Sequence, residues 1–187
     1  MSSLRVRLRG TDIYFRTRDG FVLDQPPILR RVGIRDVKLG TNVVIIEPVN
    51  LSECVIGDNT YIGPFVEIQK DVKIGKNCRI LSHNFICEKV SIGYNCSVFH
   101  GAMFINDAQV VGGPHGDNSG SAKSTRVGDN VSIGTNATIL PVIIADHVII
   151  APGSVVTEDI LESGLYAGNP ARKVGDPVKS NFKENRV

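Results

Sequence analysis

The sequence predicts an all-β chain that folds as a parallel β-helix of hexapeptide repeats, with about six coils. The first observation is an apolar side chain at every sixth position over a long, unbroken run. The members of this run are Ile56, Ile62, Ile68, Ile74, Ile80, Ile86, Ile92, Val98 and Phe104. An amphipathic helix repeats its apolar stripe every three or four residues and an alternating strand every two, so neither produces this period. The second observation is an 18-residue spacing of Ile-Gly pairs starting at Ile56, Ile74 and Ile92, which makes three hexads one coil of a triangular prism.

The limits of the repeat give the expected domain organisation. The six-residue step begins at Leu39 and resumes after residue 126, with one hexad short by a residue in each half of the chain. We therefore expect an N-terminal cap at 1–36, a β-helix domain at 37–156 and a C-terminal cap and short tail at 157–187. At 111–126 the period breaks into a Gly-rich stretch, which predicts a loop extruded from a corner, because a solenoid accommodates insertions there.

Composition limits the partners. The net charge of the 187-residue chain is only +2, which argues against nucleic acid as the main partner. No apolar run approaches the length of a membrane span, and no apolar signal core follows the initiating methionine, so we expect no membrane insertion and a cytoplasmic location. The four cysteines lack CxxC spacing, which favours reduced core thiols over a metal site.

Three features together resemble the hexapeptide-repeat acyltransferases: the repeat itself, the extruded loop, and the segment Tyr166-Ala167-Gly168-Asn169-Pro170-Ala171-Arg172. The segments at 82–88 and 99–107 look like the branch that N-acetylates amino-deoxysugars linked to dTDP or UDP for surface polysaccharide synthesis. The resemblance covers roughly residues 37–174.

This resemblance implies properties that the period alone does not. It implies a left-handed parallel β-helix, against the usual right-handed crossover rule. It also implies a homotrimer whose active sites lie in clefts between neighbouring prisms. Acetyl-CoA as acyl donor and a sugar nucleotide as acceptor would meet in each cleft, with no metal, and the extruded loop would help to wall it.

Two histidines are the candidate bases. Acyl transfer needs a group that takes the proton of the nucleophile, together with donors for the developing oxyanion. His83 and His100 are 17 residues apart, one less than a coil, so they should occupy neighbouring sites on one corner. His83 should lie near Gly101, and His100 near Ser82. His100 is the preferred base or proton relay and His83 the second candidate; two surface histidines without a role are the alternative.

Asn84 completes the candidate catalytic set. Hexad phase gives it the inward position that small apolar residues fill in other coils. A buried amide without partners costs roughly 1–3 kcal/mol. It therefore either bonds to backbone at the corner or holds a substrate group near the cleft, and the sequence leaves both open.

The remaining candidates concern the two substrates. The predicted substrate-binding residues are Asn106, Asp107, Ser82 and Glu88. Asn106 and Asp107 stand where many relatives carry a histidine, which puts a simple histidine-base assignment in doubt; an Asn-Asp turn that opens the loop is the other interpretation. The resemblance implies that acyl-CoA contacts Gly134, Thr135, Asn136, Ala137, Ala151, Gly153, Arg172 and Lys173. A basic surface tail is the alternative for Arg172 and Lys173.

Other functions on the same fold remain to be distinguished. A γ-class carbonic anhydrase needs a closely spaced histidine pair for zinc, and the histidine spacings here contain none. A non-catalytic structural β-helix would not need a polar residue at an inward position or a disrupted corner. Transfer to a sugar hydroxyl instead of an amine stays open, because a hydroxyl acceptor needs a base and both histidines are present.

Overall fold

The computed structural model describes residues 3–8, 11–16, 33–106 and 123–176, with side chains for the last two ranges. The chain divides into two compact units, 1–31 and 32–187. In the first unit, β1 (Ser3–Leu8) pairs antiparallel with β2 (Thr11–Arg16).

The second unit is a β-helix with three faces, each a parallel sheet with one short strand from every coil. Face 1 contains β3 (Ile34–Arg35), β6 (Asn50–Ser52), β9 (Glu67–Ile68), β12 (Phe85–Ile86), β15 (Met103–Phe104), β18 (Thr138–Ile139) and β21 (Val155–Val156). Face 2 contains β4 (Lys38–Leu39), β7 (Val55–Ile56), β10 (Lys73–Ile74), β13 (Val90–Ile92), β16 (Thr125–Val127) and β19 (Ile143–Ile144). Face 3 contains β5 (Val44–Ile45), β8 (Tyr61–Ile62), β11 (Arg79–Ile80), β14 (Ser97–Val98), β17 (Ser132–Ile133), β20 (Val148–Ile150), β22 (Gly164–Ala167) and β23 (Arg172–Gly175). Every neighbouring pair is parallel except β22 and β23, which form an antiparallel hairpin at the C-terminal end.

The predicted fold class is confirmed. The sheets form a solenoid of about six turns, consistent with the left-handed β-helix that the resemblance implies. Ile74 pairs with Ile56 and with Ile92, which reproduces the 18-residue coil, and Val127 pairs with Ile144 across a coil shortened by one residue. Of the predicted loop at 111–126, residues 111–122 lie outside the described residues, and Thr125 and Arg126 belong to β16.

The core is the stack of side chains at every sixth position. Ile62, Ile80 and Val98 are fully buried one above the other, and each such aliphatic side chain contributes about 1.5–3 kcal/mol. Leu39 is in phase with this stack but is 49% exposed, because its strand β4 ends the face-2 sheet and has a partner on one side only. All four cysteines are buried free thiols, as expected. In the described part of the chain no helix is long and apolar enough to cross a bilayer.

The corner between faces 2 and 3 is built from left-handed residues. Its members are Asn42, Asn59, Asn77, Asn95, Asn130 and His147, with φ between 54° and 59°. The asparagine side chains bond to one another from coil to coil at 3.1–3.3 Å. Asparagine tolerates this conformation better than most residues, so a recurrent corner favours it. His147 occupies the next position of this series, so it fills a turn position that asparagine holds in the earlier coils.

Candidate functional site

The corner between faces 3 and 1 differs from the other two, because its left-handed positions carry an aromatic residue, a histidine and glycines. We call it the histidine corner. It consists of the residue pairs Pro64-Phe65, Ser82-His83, His100-Gly101, Thr135-Asn136 and Pro152-Gly153, one pair per coil. Backbone bonds tie successive pairs: the amide of Gly101 donates to the Ser82 carbonyl at 3.0 Å, and that of Asn136 to the His100 carbonyl at 2.9 Å.

Ser82 and His100 meet on this corner as predicted. They hold the same position in adjacent coils, and Ser82 Oγ lies 2.8 Å from His100 Nδ1, a hydrogen-bond distance. The His100 side chain is exposed. Because Nδ1 is engaged by the serine, Nε2 is the ring nitrogen left to act on a substrate.

His83 makes an aromatic stacking contact, which was not predicted from the sequence. Its ring stacks on that of Phe65, with centroids 4.8 Å apart and planes 13° from parallel. Phe65 has φ of 60° and is 56% exposed, an unusual conformation and exposure for a bulky aromatic residue. The hexad phase places Phe65 one coil before His83, so the sequence contains the signal that pairs them.

Asn84 lies inside the prism and is only 1% exposed. Its Nδ2 donates to the carbonyls of Leu81 at 2.7 Å and Val98 at 3.3 Å, and its Oδ1 accepts from the Ala102 amide at 2.7 Å. These contacts match the backbone-bonding alternative. The amide stabilises the corner that carries His83, and its burial leaves no surface for direct contact with a substrate.

The residues expected to contact acyl-CoA continue the same corner into the later coils. Thr135 and Asn136 stack on His100 and Gly101 in the next coil. Gly153 stacks on Asn136 in the coil after that, because the Gly153 amide donates to the Thr135 carbonyl at 2.8 Å. Gly134 and Ala151 precede these corner pairs in the chain. Ala137, by contrast, is fully buried in the inward position, so only its backbone is available to a ligand.

Arg172 and Lys173 lie on β23, in the hairpin that ends face 3. Arg172 Nη2 is 3.3 Å from Glu158 Oε1, and Lys173 Nζ is 3.2 Å from Glu162 Oε2. All four side chains are substantially exposed, and surface ion pairs of this kind contribute little, about 0–1 kcal/mol. Phosphate groups can therefore replace these carboxylates at low energetic cost.

Of the remaining substrate candidates, the two that the structure describes, Glu88 and Asn106, lie away from the histidine corner. Glu88 lies two residues beyond β12, at the opposite edge of face 1, where it is 3.6 Å from Lys70 Nζ. Asn106 stands two residues beyond β15, one coil above Glu88 at that same edge. Asp107 lies outside the described residues.

A shallow groove of about 470 Å³ lies on face 2, lined by residues that include Lys73, Tyr94 and Arg126, and it contains no candidate catalytic residue. Among the described residues, no group of three or more His, Cys, Asp or Glu side chains is placed to hold a metal ion.

Comparisons with known proteins agree with the repeat and the fold. Residues 53–88 match the model for "Bacterial transferase hexapeptide (six repeats)", and residues 124–158 match "Hexapeptide repeat of succinyl-transferase". The bifunctional protein GlmU of Synechococcus is 30% identical over 164 residues, which cover 82% of this chain and 35% of GlmU. The chain thus spans about a third of the curated relatives it matches.

Two solved structures share the fold. One is a variant of AntD, an N-acyltransferase from Bacillus cereus in complex with dTDP and coenzyme A, with a TM-score of 0.68 and 22% identity over 76% of this chain and 84% of AntD. The other is PerB from Caulobacter crescentus in complex with CoA and GDP-perosamine, with a TM-score of 0.53 and 22% identity over 76% of this chain and 57% of PerB. These matches, together with the repeat and the three-faced solenoid, support the hexapeptide-repeat acyltransferase family for this chain.

Proposed function

We propose that this protein is an acyl-CoA-dependent acyltransferase that transfers an acetyl group to the amino group of a dTDP- or UDP-linked amino-deoxysugar. The observation that carries the proposal is the histidine corner, where an exposed His100 with one ring nitrogen engaged stands directly beside the coils expected to bind acyl-CoA. An acyl donor extended along that corner would have its thioester near a group able to accept a proton.

In the proposed reaction, His100 handles the proton while one bond forms and one bond breaks. The amine nitrogen of the acceptor attacks the thioester carbonyl, an N–C bond forms, and the C–S bond breaks when the oxyanion collapses. His100 Nε2 accepts the proton lost by the amine and returns it to the departing thiolate, which leaves as free coenzyme A. A positioned general base contributes roughly 10²–10⁴-fold to such a step.

Acyl-CoA binding would combine backbone and charged groups. The pantetheine arm lies along the coils of Thr135 and Gly153, which are partly exposed and exposed at the corner, respectively. The adenosine phosphates are directed to Arg172 and Lys173, which release their carboxylate partners and bind phosphate through charge-assisted bonds.

In our proposal the cleft for the two substrates is formed with a second copy of the chain. We propose the homotrimer implied by the family resemblance, with the histidine corner facing a neighbouring prism. Exposed apolar side chains beside the corner support this arrangement: Phe65 is 56% exposed, Phe99 40% and Met103 42%. Surfaces of this kind are typical of protein interfaces.

Proteins of similar fold support the substrate class. AntD was crystallised with dTDP and coenzyme A, and PerB with CoA and GDP-perosamine, so both bind a nucleotide or nucleotide sugar together with CoA. The amino group, the acetyl chain and a role in surface polysaccharide synthesis are specific to our proposal, as are a trimer and a cytoplasmic location.

The test is a thiol-release assay with acetyl-CoA and a panel of amino-sugar nucleotides, each paired with its hydroxyl analogue. We expect acceptor-dependent release of coenzyme A with at least one amino sugar. The variant tested at the site is His100→Ala, and His147→Ala is its matched control. The control removes a histidine from the corner between faces 2 and 3 and should leave kcat unchanged. Absence of CoA binding by calorimetry, together with no thiol release, would favour a non-catalytic β-helix.

Transfer to a hydroxyl is the second candidate, and the Ser82–His100 contact is the observation that favours it, because a hydroxyl needs a stronger base than an unprotonated amine does. We expect His100→Ala to lower kcat much more for a hydroxyl acceptor than for an amine. An unchanged kcat with both acceptors would remove His100 from the mechanism.

A further inference from the structure

We infer that Ser82 is a positioning residue for His100, and that it holds the imidazole in the tautomer with the proton on Nδ1. This inference rests on the proposed function and changes the role of Ser82 from substrate contact to orientation of the base. The observation is the 2.8 Å separation of Ser82 Oγ and His100 Nδ1.

The tautomer decides whether His100 can act at all. If Nδ1 carries the proton, it donates to Ser82 Oγ, and the lone pair of Nε2 is free for the acceptor. If Ser82 donates to Nδ1 instead, Nε2 carries the proton and cannot accept another. After proton transfer both nitrogens are donors, so Ser82 Oγ accepts from Nδ1 in the protonated ring, and the same contact serves before and after the step.

The fold holds the two partners in register. The Ser82 carbonyl accepts from the Gly101 amide and the His100 carbonyl from the Asn136 amide, so both backbones are fixed in the ladder of the corner. The side-chain contact therefore follows from stacking at equal corner positions. Pro64 occupies this position in the preceding coil and cannot donate or accept through its side chain, whereas Thr135 occupies it in the coil after His100.

The presence of Thr135 at the equivalent corner position suggests a conservative variant of Ser82. Because the corner accommodates a threonine at position 135, Ser82→Thr should fit and keep the hydroxyl, while Ser82→Ala removes it. Ser91→Ala is the matched control, because Ser91 is a partly exposed serine on β13 of face 2, on the opposite side of the prism.

The experiment measures tautomer and kinetics separately. The chain has four histidines, so ¹⁵N-histidine labelling gives a spectrum in which His100→Gln identifies the His100 signals. In the full-length protein without substrate we expect a pyrrole-like Nδ1 and a pyridine-like Nε2 for His100, retained in Ser82→Thr and lost or mixed in Ser82→Ala. In the thiol-release assay Ser82→Ala should lower kcat about tenfold with little change in KM, Ser82→Thr should stay within about threefold, and Ser91→Ala should match wild type.

Several results would overturn the inference. One is a wild-type His100 that carries its proton on Nε2, which can be read even if Ser82→Ala does not fold. Another is an unchanged tautomer in folded Ser82→Ala. A third is a raised KM at unchanged kcat, which would make Ser82 a substrate contact. If no acceptor supports thiol release while the tautomer depends on Ser82, the proposed function fails and the positioning contact stands.

Discussion

Replacement of Asn84 by valine tests whether the buried amide stabilises the histidine corner. Valine is the natural comparison because Val66 fills the same inward position one coil earlier, so the shape is acceptable there. The substitution removes all three side-chain bonds of Asn84.

The magnitude follows from the partners that are left behind. The amide of Ala102 and the carbonyl of Leu81 lose the hydrogen bonds that Asn84 supplies, whereas the Val98 carbonyl keeps the backbone amide of Leu81 as donor. Each buried group left unsatisfied costs about 1–3 kcal/mol. The extra apolar surface of valine offsets about 1 kcal/mol. The net loss in free energy of unfolding is therefore about 1–5 kcal/mol.

The assay is urea unfolding followed by far-ultraviolet circular dichroism at one fixed protein concentration, because association would otherwise shift the midpoint. Ser154→Ala provides the comparison, since Ser154 fills the same inward series and accepts a single bond, from the Gly168 amide at 3.2 Å. We expect the midpoint to fall for both variants and to fall further for Asn84→Val. A urea midpoint for Asn84→Val equal to or above that of wild type would show that the Asn84 amide does not stabilise the histidine corner.

Two further predictions concern the corner and the core. Gly101 and Gly153 have nearly the same φ, 70° and 71°, but a Cβ at Gly101 would overlap Asn136 Oδ1 while one at Gly153 meets nothing within 4 Å. Gly153→Ala should therefore cost about 1–2 kcal/mol in conformation alone. Gly101→Ala should cost this amount plus the smaller energy needed to turn the Asn136 side chain away, and a urea midpoint higher for Gly101→Ala than for Gly153→Ala would contradict the overlap. Burial raises the pKa of the Cys54 and Cys87 thiols to about 11, above the ordinary value of 9.0. Because the unfolded chain then loses these protons first, the contribution of these two thiols to the free energy of unfolding should be constant below about pH 9 and decrease between about pH 9 and 11. The thiols should react with a disulfide reagent at pH 8 only after unfolding, and rapid labelling of native protein would contradict their burial.

The repeat was sufficient to predict which corner carries the candidate site. Counting in steps of 18 aligned Ser82 with His100 and His83 with Gly101, and the backbone bonds of the corner have this register. Thr135 and Gly153 were expected only from the family resemblance, because the break at 111–126 interrupts the count, and the backbone bonds place them in the following coils of this corner. The same counting failed to single out Phe65, because a ring at a turn position looks like an ordinary exposed residue until its neighbour's ring is seen against it.

The sequence by itself determined the fold, the coil register and the alternation of inward and outward side chains, because burial at every sixth position permits only one phase of the prism. Only the tertiary structure decided what each polar side chain does within that register. Asn84 is inward by phase, but its three backbone partners come from two successive coils, Leu81 from its own and Val98 and Ala102 from the next, and their directions depend on the turn geometry. Likewise the Ser82–His100 bond depends on side-chain rotamers, which are set by contacts between coils and not by spacing along the chain.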